Sequence, residues 1–308
     1  MIDLSIVIPV YNGASSIQRL VHLLQKLKID DEIEIILVND NSPDSSWEKI
    51  KSIESINNTR IVKINLSKNF GEHNAVMAGY AHAKGNFIIN IDDDFQNPPS
   101  EVIKVYQYAK SNPDLDVVYT FYDTKKHHFV RNLGSQFTNY ISGFVIDKPK
   151  DLYLSSFRCI NKYIVDKITQ YNGPYPYIDG LILQFTSRIG KIKVDHHQRE
   201  DGRSGYTLRK LVRLWLAMFL NFSVLPLRFS SLLGFSLSFF GLIMAVIAVI
   251  DRFYSDVPSG WASIMSGVMI FSGAQLLMLG IIGEYLGRLY LTTTGKPQHS
   301  ICEIIESD

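Results

Sequence analysis

Between Phe229 and Ile250, and again between Trp261 and Gly283, the chain carries no charged residue. Each run exceeds the ~20 residues that cross a hydrocarbon core. Helices buried in a soluble core seldom run so far without a charge, so the pattern predicts two membrane spans, over 229–251 and 260–284. The connection from Asp251 to Gly260 is short, which makes the pair a hairpin with both chain ends on one side. Arg209, Lys210, Arg213 and Arg228 precede the first span, and Arg288 and Lys296 follow the second, whereas the connection offsets Arg252 with Asp251 and Asp256. This bias places the large N-terminal part and the tail 285–308 in the cytoplasm. Residues 209–228 are apolar but contain Arg213, with Pro226 near the end, and read as a juxtamembrane interfacial helix with Trp215 at headgroup level. Gly241, Gly267, Gly273 and Gly280 allow close helix packing and fit a small homo-oligomer such as a tetramer.

Residues 1–208 read differently. Leu4–Val10, Glu34–Asp40, Arg60–Leu66, Phe87–Ile91 and Val117–Thr120 are short runs rich in β-branched residues. They alternate with helical periodicity, as in Ile17, Leu20, Val21, Leu24 and Leu27 behind the capping candidates Ser15 and Ser16. Further helices are expected after Pro43, from Glu72 to Ala83 and after Pro98-Pro99. The alternation predicts an α/β fold, a Rossmann-like, mostly parallel sheet covered on both faces. Over 127–146, apolar residues recur every three or four positions behind His127, His128 and Arg131, giving an amphipathic helix. It suits either a core face or a membrane interface. The net charge of +1 excludes a globally basic nucleic-acid binder. Cys159 and Cys302 match no zinc spacing and suggest no disulfide framework.

Ligands of such sheets bind beyond the carboxyl ends of the strands, where Tyr11-Asn12, Asp40, Lys68-Asn69 and Asp92 to Asp94 fall. On a strand continued past Ile91, Asp92 and Asp94 point one way and Asp93 the other. With the Gln96 amide they offer hard oxygen ligands for Mg²⁺ or Mn²⁺; the bland alternative is a solvated acidic turn. Asp40 and Asp44 suit a base and ribose, or simple turn chemistry. No G-x-G-x-x-G follows the first strand and no Walker loop occurs, so a diphosphate here needs a metal and side chains.

The set Val7-Ile8-Pro9-Val10-Tyr11-Asn12, Val38-Asn39-Asp40-Asn41-Ser42-Pro43-Asp44, Asn69-Phe70-Gly71 and Asp92-Asp93-Asp94-Phe95-Gln96-Asn97-Pro98-Pro99 resembles the family 2 glycosyltransferases of GT-A fold. Within these the chain looks like the polyprenyl-phosphate glycosyltransferases, such as bactoprenol-phosphate glucosyltransferases and dolichol-phosphate mannose synthases. Ser156-Phe157-Arg158, Arg199 to Tyr206, the paired spans and Gly283 to Arg288 continue the likeness. It implies a multi-pass enzyme of the inner membrane, with its catalytic domain and both termini cytoplasmic. Such an enzyme moves a sugar from a nucleotide donor, UDP-linked by preference, onto polyprenyl phosphate, for cell-envelope glycan work such as O-antigen modification. The resemblance puts Pro9, Tyr11, Asn12, Asp40, Asn69, Asp92 and Asp93 at the nucleotide sugar. It gives the Mg²⁺ or Mn²⁺ to Asp94 and Gln96 with Asp92, and the acceptor phosphate to Arg131, Arg158, Arg203 and Ser204. Asp92, Arg158 and Arg199 become the catalytic set.

One departure stands out: related sequences often carry an acid where this chain has Ser156, and Asp179 is a substitute base or a helix cap. No base is required, because a phosphate monoester with its second pKa near about 6 is already largely dianionic at neutral pH. Its difficulty is repulsion from an anionic donor, which arginine forks relieve; each arginine has a surface ion pair as its bland alternative. His73 and His196-His197 read as a helix start and a strand end, and Glu284 with Arg288 as an i,i+4 pair. Two rivals remain. A processive polysaccharide synthase would need a Gln-x-x-Arg-Trp motif, which Gln198-Arg199-Glu200-Asp201 is not. A non-catalytic nucleotide-sugar-binding scaffold is the other.

Overall fold

The computed structural model describes residues 2–56, 59–122, 152–197, 225–254, 260–295 and 297–307. The 127–146 helix, Arg131, Arg199, Arg203, Ser204 and all but the end of the 209–228 helix lie outside these residues. The chain forms two units, Met1–Leu208 together with Gly295–Asp308, and Arg209–Thr294.

The first unit is built on an eight-stranded sheet in the order β7-β5-β6-β4-β1-β2-β3-β8. Strands β1 (Leu4–Val10), β2 (Ile33–Asn39), β3 (Arg60–Leu66) and β4 (Phe87–Asn90) run parallel in its middle. All seven residues of β1 are buried, as a continuous apolar run between two covering layers requires. Pro9 fits because β1 pairs with β4 only through Val7, so its missing N–H falls past the end of that ladder. The helices α1 (Ile17–Gln25), α2 (Ser46–Lys51), α3 (Glu72–His82) and α4 (Glu101–Ser111) connect these strands and lead on to β5. In α1 the predicted stripe Ile17, Leu20, Val21 and Leu24 is buried, while Leu27 is partly so. Ser16 does not cap α1; its hydroxyl donates back to the Gly13 carbonyl at 3.2 Å.

Beyond β4 the sheet turns mixed. β5 (Val117–Phe121) and β4 both pair antiparallel with β6 (Arg158–Asn161), and β7 (Ile189–Lys193) pairs parallel with β5. Two short helices, α5 (Lys162–Ile168) and α6 (Ile178–Phe185), lie between β6 and β7. Because β6 runs backwards, it begins where β4 ends, with Arg158 opposite Asn90. Residues just before β6 therefore join the carboxyl ends of β1, β2, β4, β5 and β7 on one edge.

The tail departs most from the sequence reading. Residues 285–308 are not a simple appendage: the second long helix continues to Thr293, and β8 (Ile301–Ser307) pairs antiparallel with β3. Arg60 ties this strand in, its guanidinium reaching Glu306 at 2.6 Å and also pairing with the fully buried Glu34. Glu34 further accepts from Ser5 Oγ at 2.5 Å and from the Lys84 N–H at 2.5 Å, which satisfies a buried charge. Ending the chain before Ile301 is expected to cost about 2 kcal/mol, mostly from re-exposing Ile305. It also bares the β3 edge, so the truncated protein should show a lower thermal midpoint and concentration-dependent light scattering.

The second unit holds α7 (Leu225–Tyr254) and α8 (Trp261–Thr293), both longer than the spans drawn from charge alone. Pro226 sits in the first turn of α7, where a missing N–H is harmless, so 225–228 belongs to that helix rather than to an interfacial one. Among the described residues one stretch, Ile270–Thr293 of α8, is long and apolar enough to cross a membrane. Phe229, Phe235, Phe239, Ile270, Leu276 and Leu289 are exposed. Gly234 and Gly241 face Met278 and Phe271, so they do seat α8 against α7, while Gly267, Gly273 and Gly280 meet no atom within 4 Å.

Candidate active site

The polar edge of the sheet carries three non-glycine residues with left-handed backbones, Asn12 (φ 59°), Asn41 (φ 49°) and Phe95 (φ 58°). Asn12 and Asn41 come two residues after β1 and β2, and Phe95 five residues after β4. Asparagine tolerates this conformation, but a bulky residue bears a cost of roughly 1–2 kcal/mol. Phe95 is held there by burial in the core and by the Arg19 guanidinium 4.5 Å from its ring centre. Nothing in the sequence signalled that strain.

At the end of β2, Asp40 is buried and accepts from the Phe70 N–H at 2.7 Å and the Gly71 N–H at 2.8 Å. Burial raises its pKa and the two backbone donors partly offset this. Its observed work is to brace the loop that opens α3, with Gly71 at φ 93° making the turn. Asp44 accepts from Ser46 N and Oγ and from the Ala14 N–H, which is turn chemistry rather than an open ligand. Tyr11 is half exposed beside Asn12, Asn69 is exposed, and Pro9 is buried within β1.

The strand ends at Asn90, so the alternation argument for Asp92 and Asp94 does not apply; the three aspartates lie in a turn. They still diverge. Asp92 Oδ2 accepts from Ser156 Oγ at 2.7 Å. Asp93 lies against Gly13, where any Cβ would collide with its carboxylate. Asp94 Oδ1 accepts from the Gln96 N–H at 3.1 Å. Across from them Glu72, unremarked in the sequence, opens α3. The residue reaches solvent, yet its carboxyl is pushed up to about 7, first by desolvation and then by the charge of Asp92, with smaller contributions from Asp179 and Asp94. As an acid in a first helical turn it carries only a dipole signal in sequence; its neighbours appear only in the fold.

Arg158 opens β6. It is almost fully buried, and its Nη1 donates to Asp179 at 2.5 Å and to the Ser155 carbonyl at 3.1 Å. Burial opposes its charge, but Asp179 more than compensates and the guanidinium stays protonated. Tyr119 also donates to Asp179, at 2.8 Å. Arg158 is thus tied to Asp179 and to the turn before β6. Asp179, in the first turn of α6, is its partner and makes no side-chain cap hydrogen bond. His73 is packed edge-on against Tyr177, and burial lowers its pKa.

The far side of the edge is aromatic. The His196 ring stacks on Tyr122 with centroids 4.0 Å apart, and the Tyr122 and Tyr153 hydroxyls are 2.8 Å apart. His197 N–H donates to the Gln96 carbonyl at 2.8 Å, and His196 Nδ1 lies 3.5 Å from Asn97 Oδ1. Desolvation lowers the His196 pKa and the charge of Asp94 partly opposes it. Among the described residues no three His, Cys, Asp or Glu side chains form a preformed metal cage. The donor set suits a hard cation that completes its shell with phosphate and water.

A model of the family described as glycosyl transferase family 2 matches residues 5–168. Solved structures of glucosyl-3-phosphoglycerate synthase from Mycobacterium tuberculosis share the fold. The complex with Mn²⁺, UDP and phosphoglyceric acid aligns at 16% identity and a TM-score of 0.53, over 71% of this chain and 78% of that one. A complex with Mn²⁺, UDP-glucose and phosphoglyceric acid aligns at 15% identity and a TM-score of 0.52, over 71% and 79%. At such identities the likeness speaks for the fold. The family match spans more than half of the 308 residues, from β1 through α5 and across the whole aspartate turn, and the chain therefore belongs to glycosyl transferase family 2 and is a glycosyltransferase.

Proposed function

We propose that this glycosyltransferase moves a sugar from a UDP-linked donor to polyprenyl phosphate at the cytoplasmic membrane face, with inversion and with dependence on Mg²⁺ or Mn²⁺. The observation that carries the reading is the return of the chain to its own sheet as β8 after a membrane-length helix. Residues on either side of the second unit belong to one sheet, so the chain crosses a membrane an even number of times between them. If α8 crosses, another segment crosses back, and α7 is the long helix available. That restores the hairpin expected from the charge-free runs and gives the enzyme a lipid environment from which to draw an acceptor.

Pro9, Tyr11, Asn12, Asp40, Asn69 and Asp93 form the nucleotide side of this reading. Asp92, Asp94 and Gln96 would hold the cation, which when bound supplies positive charge for the leaving diphosphate. The Mn²⁺ and UDP named for the M. tuberculosis structures support that choice, and phosphoglyceric acid, itself a phosphate compound, is named with them. Arg131 falls in the sequence between Tyr122 and Leu152, and Arg199, Arg203 and Ser204 come after His197. Tyr122, Tyr153 and His196 meet beside Gln96 and Asn97. Arginines at those positions suit the acceptor phosphate. No general base is needed, since a lipid phosphate is already largely dianionic at neutral pH.

A donor screen with purified protein and short polyprenyl phosphate tests the chemistry. Topology has a built-in reporter: Cys302 in β8 is exposed and Cys159 is buried. A membrane-impermeant maleimide should leave Cys302 unlabelled in intact cells and label it after permeabilisation. Labelling in intact cells would place the sheet across the membrane from its donor and end this reading.

A further inference from the structure

The structure gives the Ser156 hydroxyl a specific partner, Asp92. The turn before β6 is anchored at each of its polar groups. Asn90 Nδ2 donates to the Ser156 carbonyl at 3.1 Å, and Arg158 Nη1 donates to the Ser155 carbonyl at 3.1 Å. Ser155 Oγ accepts from the Phe157 N–H at 3.2 Å, and Thr120 Oγ1 lies 2.6 Å from the Phe157 carbonyl. Three strands and a buried ion pair thus fix the Ser156 backbone, and from it the hydroxyl reaches Asp92 Oδ2 at 2.7 Å.

We propose that Ser156 is a positioning residue for Asp92, its hydroxyl occupying one carboxylate oxygen and holding the group in the orientation that serves the divalent cation. The inference rests on the metal-dependent reading above. A hydroxyl donor suits this task because it orients the carboxylate without cancelling its charge. Arg158, two residues on, then contributes indirectly, by holding the turn that presents the hydroxyl.

The test compares Ser156→Ala and Ser156→Thr in the full chain in detergent, with UDP present. Three quantities are read: Mn²⁺ affinity by electron paramagnetic resonance, thermal midpoint, and steady-state kinetics. Losing a hydrogen bond to a charged group should weaken Mn²⁺ binding about tenfold in Ser156→Ala and lower kcat similarly, with the acceptor KM and the thermal midpoint little changed. Ser156→Thr, which keeps the hydroxyl, should stay within about threefold of the wild type. Wild-type Mn²⁺ affinity in Ser156→Ala overturns the proposal while leaving the metal reading intact. So does a parallel loss of thermal midpoint and affinity in both variants, which would mark a packing role. A wild-type protein that binds no Mn²⁺ with UDP overturns the metal reading and this proposal with it.

Discussion

Replacing Arg158 by alanine destabilises the sheet-bearing unit by about 3–5 kcal/mol, because Asp179 is left as a buried charge with its counter-ion gone. For a unit of this size that corresponds to a fall of roughly 6–20 °C in its thermal midpoint. The double variant Arg158→Met with Asp179→Leu removes both charges and should recover part of the loss, since a buried pair often replaces well with apolar groups. Thermal melts of the detergent-solubilised chain measure both. The result also separates two roles for this arginine. A Arg158→Ala protein that melts like the wild type yet has lost affinity for lipid phosphate would return Arg158 to the acceptor-contacting role suggested by the resemblance.

Asp94→Ala produces the largest loss of activity expected here, about 10²–10³-fold in kcat, comparable to removing one group that stabilises transition-state charge. Asp94 lies in a partly exposed turn, where it accepts from the Gln96 N–H, so the thermal midpoint should move by no more than about 2 °C. Steady-state rates at saturating donor, together with Mn²⁺ binding in the presence of UDP, make the comparison. Retention of full transfer by a folded Asp94→Ala protein would remove the cation from this turn.

The parts of the fold legible in sequence were those where local pattern and burial agree. β1 to β4 are contiguous β-branched runs because they are buried on both faces, and nothing about their partners is needed to see them. β8 was hidden because Ile301-Cys302-Glu303-Ile304-Ile305-Glu306-Ser307 lies half exposed at an edge, and only the bare side of β3 makes it a strand. The aspartate turn was found by composition, but its geometry was not. The strand stops at Asn90, before the aspartates, and Asp92, Asp93 and Asp94 meet Ser156, Gly13 and Gln96 in turn. The resemblance offers Arg158 to a phosphate, with an ion pair as the bland alternative, and the sequence alone does not name the partner. Asp179 lies on α6 and meets Arg158 only in the fold. The aromatic cluster of Tyr122, Tyr153 and His196 likewise joins residues that are far apart in sequence.

The identity of the acceptor is tested most directly by incubating the purified full-length chain with a UDP-hexose, Mn²⁺ and undecaprenyl phosphate, alongside a parallel reaction with 3-phosphoglycerate, and reading products by mass spectrometry. The account predicts a single hexose on the lipid phosphate, stoichiometric UDP, and no product with the soluble phosphate. Sugar transferred to phosphoglycerate, or built into a long glycan, while the lipid phosphate remains unmodified would contradict it.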